Sequence, residues 1–280
     1  MHPLLIKIGP IPIHTYGFLI GLGFLVAINV FKRLAIRSRL DVDKILDLSF
    51  WGLLVGFLGA RTLYIITRWS SYLDNPIEML KVWEGGLVFL GGPLAVVPFV
   101  IWYVRRHRLP VWTTLDVLTP GLIIAHVFGR FGCLMAGCCY GKPTGSSFGI
   151  RLYSNLVETS LQGIPLHPTQ LYEASALFLL FLTLLYVFKK KIFEGQVAIT
   201  YLLAYPIIRS IIEVFRGDLI RGFVVDDFLS TSQFLSILIF FAGLITLFFR
   251  LKDGSLSRKE GEKVSGKMSG KMSGKVLSKV

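Results

Sequence analysis

Acidic side chains are scarce in this 280-residue chain: 17 Asp and Glu stand against 30 Lys and Arg, a net charge of +13. Charges of either sign are missing from long stretches. With 53% hydrophobic residues and a mean hydropathy of +0.65, the apolar residues run in blocks and not in amphipathic stripes, which excludes an ordinary soluble domain. Other absences narrow the field further. The opening MHPLLIKIGPIPIH has no basic region ahead of an apolar core, so no cleavable leader is expected and the first span stays in the protein. The last apolar stretch, 231–250, has no lysine, so a retinal-type Schiff base has nowhere to form. An intramembrane serine protease would need serine and histidine on facing spans, whereas Ser146 and Ser147 fall in a loop. The three cysteines, Cys133, Cys138 and Cys139, lack the C-x-x-C spacing of zinc sites. No metal and no cofactor are expected. Cys133 reads as a small hydrophobe at a helix end, and Cys138 or Cys139 as a free or disulfide-bonded thiol.

The apolar blocks predict an all-α polytopic membrane protein of seven transmembrane helices, at 15–31, 45–66, 86–104, 112–133, 169–188, 195–213 and 231–250. Lys and Arg cluster at alternate connections: Lys32 to Lys44, Arg105 to Arg108, Lys189 to Lys191, and beyond 249. Basic residues near span ends stay cytoplasmic, so the N-terminus is expected outside and the C-terminus inside. The excess charge then serves topology and anionic membrane lipids, and nucleic acid is not an expected partner. Residues 1–252 read as one membrane domain. Residues 253–280, ending in repeats of Ser-Gly-Lys, read as a disordered basic cytoplasmic tail. The longest outer connection, 134–168, has no obvious internal structure, and loops of that length tend to be functional. Gly17/Gly21, Gly52/Gly56 and Ala125/Gly129 supply four-residue small spacings for close helix approach.

Four arginines, Arg61, Arg130, Arg209 and Arg216, lie within or at the outer ends of these spans. A charge at membrane depth costs about 2.5 to 3.5 kcal/mol on insertion scales and marks a path, a site or a pair. The acids at the same level are Glu173 and Glu213, the latter at i+4 from Arg209 and i−3 from Arg216. Asp116 is fourteen residues from Arg130, roughly 21 Å along a continuous helix, and cannot pair with it. Four cations and two anions leave room for an anionic ligand. Guanidinium forks suit phosphate oxygens, and the abundant phosphates at this depth belong to phospholipids. Groups placed to position such a ligand are His14 and Tyr16 in HTYG, the glycine pairs Gly85/Gly86 and Gly91/Gly92, and His167, Gln170, Tyr172 and Glu173 in HPTQLYE.

The ordered motifs HTYG, GARTLY, WEGG and its following glycine pair, GRFG, HPTQLYE and RSIIEVFRGD span residues 14 to 218. In that order they resemble the bacterial phosphatidylglycerol:prolipoprotein diacylglyceryl transferases. The resemblance implies a seven-span inner-membrane enzyme. Its donor would be phosphatidylglycerol and its acceptor the lipobox cysteine of a preprolipoprotein signal peptide; glycerol 1-phosphate leaves and a thioether remains. By position it implies Arg130, Arg209 and Tyr16 as catalytic residues. Arg61, His14, Gly91, Gly92, His167, Gln170, Glu173, Glu213 and Arg216 would bind substrate together with Arg130. Two departures stand out. Leu90 occupies the place where many members carry histidine, and a leucine cannot take a proton. Cys133, Ala136 and Cys138 occupy places where many members carry asparagines and a glutamate. They raise the alternative of a diverged paralogue that binds phospholipid but uses another acceptor or has lost catalysis. The outward-side histidines left as candidate bases are His14, His126 and His167.

Overall fold

The structure is a computed structural model that describes residues 4–8, 11–73, 75–81, 85–217, 223–225 and 229–252. In chain order it contains strands β1 (Leu4–Ile8) and β2 (Ile11–His14) and helices α1 (Thr15–Arg37), α2 (Val42–Thr67), α3 (Gly91–Arg106) and α4 (Val111–Ala136). Then come β3 (Ile150–Arg151), β4 (Pro165–Leu166), α5 (Thr169–Lys190), α6 (Gln196–Phe215), β5 (Phe223–Val225) and β6 (Leu229–Ser230). The last described helix is α7 (Thr231–Lys252). Among the described residues the strands form three antiparallel two-stranded sheets of sequence neighbours, and Leu166 of β4 also bridges Pro143.

Among the described residues six helices, all but α3, are long and apolar enough to cross a membrane; the protein is a polytopic helical membrane protein. Helix α3 has 16 residues, about 24 Å at 1.5 Å per residue, against about 30 Å of hydrocarbon. The expected third span began at 86, whereas α3 begins at Gly91. Gly86 sits at φ 81°, a left-handed backbone that no helix can include, and 87–90 are not helical either. The tail from 253 onward lies outside the described residues.

The chain divides into two compact units, His2–Ala136 and Gly137–Val280. In the first, α1 packs on α4. Ala27, Phe31, Leu34 and Ala35 form the buried stripe of α1, at the i, i+4, i+7, i+8 spacing of one helix face. A side-chain carbon at Gly121 of α4 would collide with the Phe31 ring, and one at Gly23 of α1 would meet Phe128 and the Ala125 carbonyl. Helices α2 and α3 meet at Gly59 and Gly91, each occupying the space where the other would carry a side chain. The four-residue small pairs were therefore a poor guide. Gly17, Gly21, Gly52 and Gly129 face open space, whereas Gly56 lies beside Val96 Cγ2 at 3.0 Å and the Ala125 carbonyl lines the close approach at Gly23.

Helix termination follows one recipe twice. Arg39 (φ 55°) and Arg108 (φ 53°) take left-handed backbone. The next residue's N–H reaches back to a helix carbonyl in each case, Leu40 to Ala35 at 3.0 Å and Leu109 to Val104 at 2.9 Å, closing the end as a Schellman-type cap. Helix α2 starts on Asp41, whose carboxylate accepts from the N–H groups of Asp43 and Lys44, the usual N-cap arrangement. Those hydrogen bonds, chiefly the one from Lys44, hold the Asp41 carboxyl below its ordinary value.

In the second unit, the connection between α4 and α5 has its own fold, contrary to expectation. Tyr140, Leu152, Val157 and Leu166 form a small buried core, with Ile150 and Leu161 against it. The β3–β4 pair runs through this core, and Arg151 Nη1 donates to the Gly163 carbonyl at 2.6 Å. The hydrophobic residues were visible in the sequence, but they are too widely spaced for a periodic pattern.

Candidate functional site

The densest buried charge lies in the second unit. Arg209 on α6 is 8% exposed, Glu213 one turn later 4%, and Glu173 on α5 2%. Arg209 Nη2 contacts Glu213 Oε2 at 2.8 Å, and Nη1 lies 3.8 Å from Glu173 Oε2. The i+4 spacing placed Glu213 on the same face as Arg209; the packing of α5 on α6 brings in Glu173. Arg216, also buried, closes α6, its N–H donating to the Glu213 carbonyl at 3.2 Å. Charges in so dry a setting stay ionised only when paired. Such a guanidinium is already desolvated, so a phosphate that reaches it gains more than it would at the water surface.

A lace of backbone bonds holds the neighbouring motif. Segment 140–142 runs between the start of α5 and the end of α6. Gly141 N–H donates to the His167 carbonyl at 3.0 Å, Lys142 N–H to Phe215 at 2.9 Å, and Gly217 N–H to Tyr140 at 3.1 Å. A side chain at Gly141 or Gly217 would fill this crossing, which is the physical demand for glycine at both. The first turn of α5 is pinned the same way: Thr169 Oγ1 and Gln170 Nε2 donate to the carbonyls of Cys139 and Cys138, each at 2.7 Å. Gln170 is thus fixed as a scaffold for this turn. His167 Nδ1 lies 3.3 Å from the Tyr172 hydroxyl, and its ring meets Phe215 edge-on. Thr169 and Tyr140 were missed at the sequence level, since their roles depend on which carbonyls fold back to them. None of the three cysteines forms a disulfide.

In the first unit, Arg130 lies near the end of α4. Its Nε donates to His126 Nε2 at 3.2 Å. Since an arginine can only donate, that imidazole nitrogen carries a lone pair and the ring proton sits on Nδ1. Tyr16, in the first turn of α1, packs its ring over Gly132, where a side-chain carbon would approach Cδ2 to 2.9 Å. His14, the residue before α1, is exposed.

Arg61 is used differently from the expectation. It is 6% exposed. All five guanidinium N–H groups end on backbone carbonyls: Nε on Met79, Nη1 on Gly85 and Gly86, Nη2 on Glu78 and Lys81. A guanidinium has five donors, so Arg61 organises the α2–α3 connection and has no fork left for a phosphate. Gly91 and Gly92 likewise belong to packing against α2, facing Gly59 and Gly56. Leu90 caps α3 and is 42% exposed.

These features define a polytopic membrane protein with buried, paired guanidinium groups, a class suited to handling anionic groups at membrane depth. Residues 3–249 match the prolipoprotein diacylglyceryl transferase family, and the chain belongs to it. A relative from Clostridium tetani named phosphatidylglycerol–prolipoprotein diacylglyceryl transferase is 36% identical over 244 residues, covering 87% of this chain and 96% of the relative. A second, numbered 2 under the same name in Clostridium perfringens, is 33% identical over 266 residues, covering 95% and 99%. A third, from Halalkalibacterium halodurans, is 31% identical over 252 residues, covering 89% and 86%.

The carbonyl cradle around Arg61 is testable. Lysine keeps the charge but has three donors, so Arg61→Lys leaves at least two of the five carbonyls without theirs. Limited trypsin digestion of the folded protein should then cut after Lys81 several times faster than in the unsubstituted chain. An unchanged cleavage rate would show that the guanidinium does not hold this connection.

Proposed function

We propose that this chain transfers the diacylglyceryl group of phosphatidylglycerol to the thiol of the lipobox cysteine in preprolipoproteins, the first step of bacterial lipoprotein maturation. The observation that carries the reading is family membership over nearly the whole chain, joined to a buried arginine–glutamate cluster at the motif RSIIEVFRGD. In the reaction, the acceptor sulfur forms a bond to the glyceryl carbon that bears the phosphoester. The carbon–oxygen bond breaks, and its electron pair leaves on glycerol 1-phosphate. Negative charge grows on the departing phosphate, and a guanidinium aimed at it lowers the barrier. Arg130 and Arg209 fill that role, with Glu213, Glu173 and Arg216 fixing Arg209 and the end of α6. Tyr16 orients the headgroup from the start of α1.

The thiol proton needs a destination other than position 90. His126 Nε2 is engaged by Arg130, His167 by Tyr172 and Glu213 by Arg209, and His14 is an exposed residue ahead of α1. The departing phosphate, which gains basic oxygens as the bond breaks, takes the proton directly or through water. Purified protein, phosphatidylglycerol and a lipobox peptide should give the diacylglyceryl mass increment on the peptide. Arg130→Lys and Arg209→Lys should each reduce it at least about a hundredfold, the scale of losing one transition-state donor. Near-normal transfer in both variants would remove the arginines from the mechanism, and no increment in the unsubstituted protein would refute the activity itself.

The same reading places the protein in the bacterial inner membrane with seven spans, α3 crossing together with the residues just before it. The N-terminus is outside, and residues 253–280 form a basic cytoplasmic tail after a membrane domain of 1–252. Alternation of the basic connections supports this orientation. Reporter fusions at 107, 190 and 255 should report cytoplasm and one at 155 the outside. The opposite result at any two would overturn the topology.

A further inference from the structure

Arg130 carries its charge on a long, flexible stem near the end of α4, and holding such a side chain in one rotamer opposes the entropy that arginine carries. The helix gives it little steric support. A side-chain carbon at Gly129, its neighbour, would meet nothing within 4 Å, so packing at that position does not restrain it. What α4 does supply is His126, one turn earlier. Helical side chains lean toward the helix N-terminus and over the i−4 position. Arg130 follows that direction, and its Nε donates to His126 Nε2 at 3.2 Å. Both side chains are half-buried.

The atoms used in this bond decide what it can do. Nε is the guanidinium nitrogen nearest the stem, so a bond there sets the plane of the group and the direction of both Nη atoms. The imidazole has only two side-chain torsions and is the stiffer partner. In its neutral form it accepts the hydrogen bond without cancelling the charge, unlike the carboxylate of Glu213 on Arg209. The same lone pair cannot also serve as the base for the acceptor thiol. To take that proton, Nε2 would have to release Arg130, and the resulting imidazolium would stand beside a guanidinium of like charge.

We propose that His126 is a positioning residue: its neutral ring, protonated on Nδ1, holds Arg130 by Nε and aims the guanidinium before substrate arrives. The inference rests on the proposed transfer reaction, in which Arg130 meets the departing phosphate. A donor fixed in advance acts most strongly where charge on the phosphate is greatest, in the transition state. Loss of the bond therefore falls on kcat more than on KM.

Glutamine separates the two uses of the ring. Its amide oxygen reaches about as far from Cβ as imidazole Nε2 and accepts a hydrogen bond, but it takes up no proton near neutral pH. Transfer is measured with the purified full chain, phosphatidylglycerol and a lipobox peptide at about pH 8, where an ordinary imidazole is neutral. His126→Gln should keep kcat within about threefold, whereas His126→Leu, which has no acceptor, should lower it at least about tenfold and move the KM for phosphatidylglycerol by less than about threefold. In an Arg130→Lys background, His126→Leu should change the residual rate by less than about twofold, because a residue that acts through Arg130 has nothing left to act on. An equal loss in the glutamine and leucine variants, an unchanged kcat in folded His126→Leu, or a full further loss in the lysine background would each overturn the proposal. An unsubstituted chain that transfers nothing refutes the transfer reading, and the hydrogen bond is then judged by itself. Solid-state NMR of isotope-labelled histidine should show the His126 proton on Nδ1 and an Nε2 resonance that moves in Arg130→Lys. A proton on Nε2, or a resonance indifferent to that substitution, would overturn the positioning role as well.

Discussion

A guanidinium removed from water must be compensated by whatever the fold brings to it, and this requirement organises each unit of the protein. Three arginines meet it in three ways. Arg209 lies against two carboxylates, Glu213 and Glu173. Arg130 donates to an imidazole. Arg61 is surrounded by five backbone carbonyls. The kind of compensation decides what each can do next. Neutral carbonyls that use every donor leave a structural cation whose charge is felt but whose hydrogen bonds are spent. A carboxylate or an imidazole instead holds the cation side chain to side chain, as at Arg209 and Arg130.

The surrounding structure makes these arrangements rigid. In the second unit, carbonyls in the turn after Gly137 accept from Thr169 and Gln170, and segment 140–142 is hydrogen-bonded to both ends of the α5–α6 pair. The small core of Tyr140, Leu152, Val157 and Leu166 supports that lace from the other side. Displacement of α5 relative to α6 would break several backbone bonds together with the Glu173 contact. Fixed dipoles and charges of this sort need little reorganisation when charge develops on a substrate, which is the main way a protein can assist a phosphate leaving group.

Much of this was legible from residue order. Apolar blocks located all the long helices, because in a membrane every backbone polar group must be satisfied within its own segment. The Arg209–Glu213 pair followed from i, i+4 spacing alone. What failed had a common cause: it depended on backbone placed by distant residues. Arg61 looked like a substrate ligand because a sequence shows the charge of a guanidinium and not the carbonyls that will surround it. Small-residue spacing pointed at Gly17, Gly21 and Gly129, whereas the tight contacts form at Gly23, Gly59, Gly91 and Gly121; composition marks candidates, and crossing geometry selects among them. The third helix starts at Gly91, after Gly85 and Gly86 at positive φ and four further non-helical residues, and the connection 137–168 concealed a core whose members follow no helical or strand period.

The central claim is that Arg209 is held as a buried cation by its carboxylates. Its most direct test is a double-mutant cycle on Arg209→Gln and Glu213→Gln, read as the free energy of unfolding in detergent micelles. A true pair in this setting predicts strong non-additivity. Arg209→Gln strands both Glu213 and Glu173, Glu213→Gln leaves Arg209 with Glu173 alone, and the double variant strands only Glu173, so the losses should not add and the coupling should be about 1 to 3 kcal/mol. Additive losses within about 0.3 kcal/mol would mean that the two side chains do not sense each other, and the account of the site built on their pairing would be wrong.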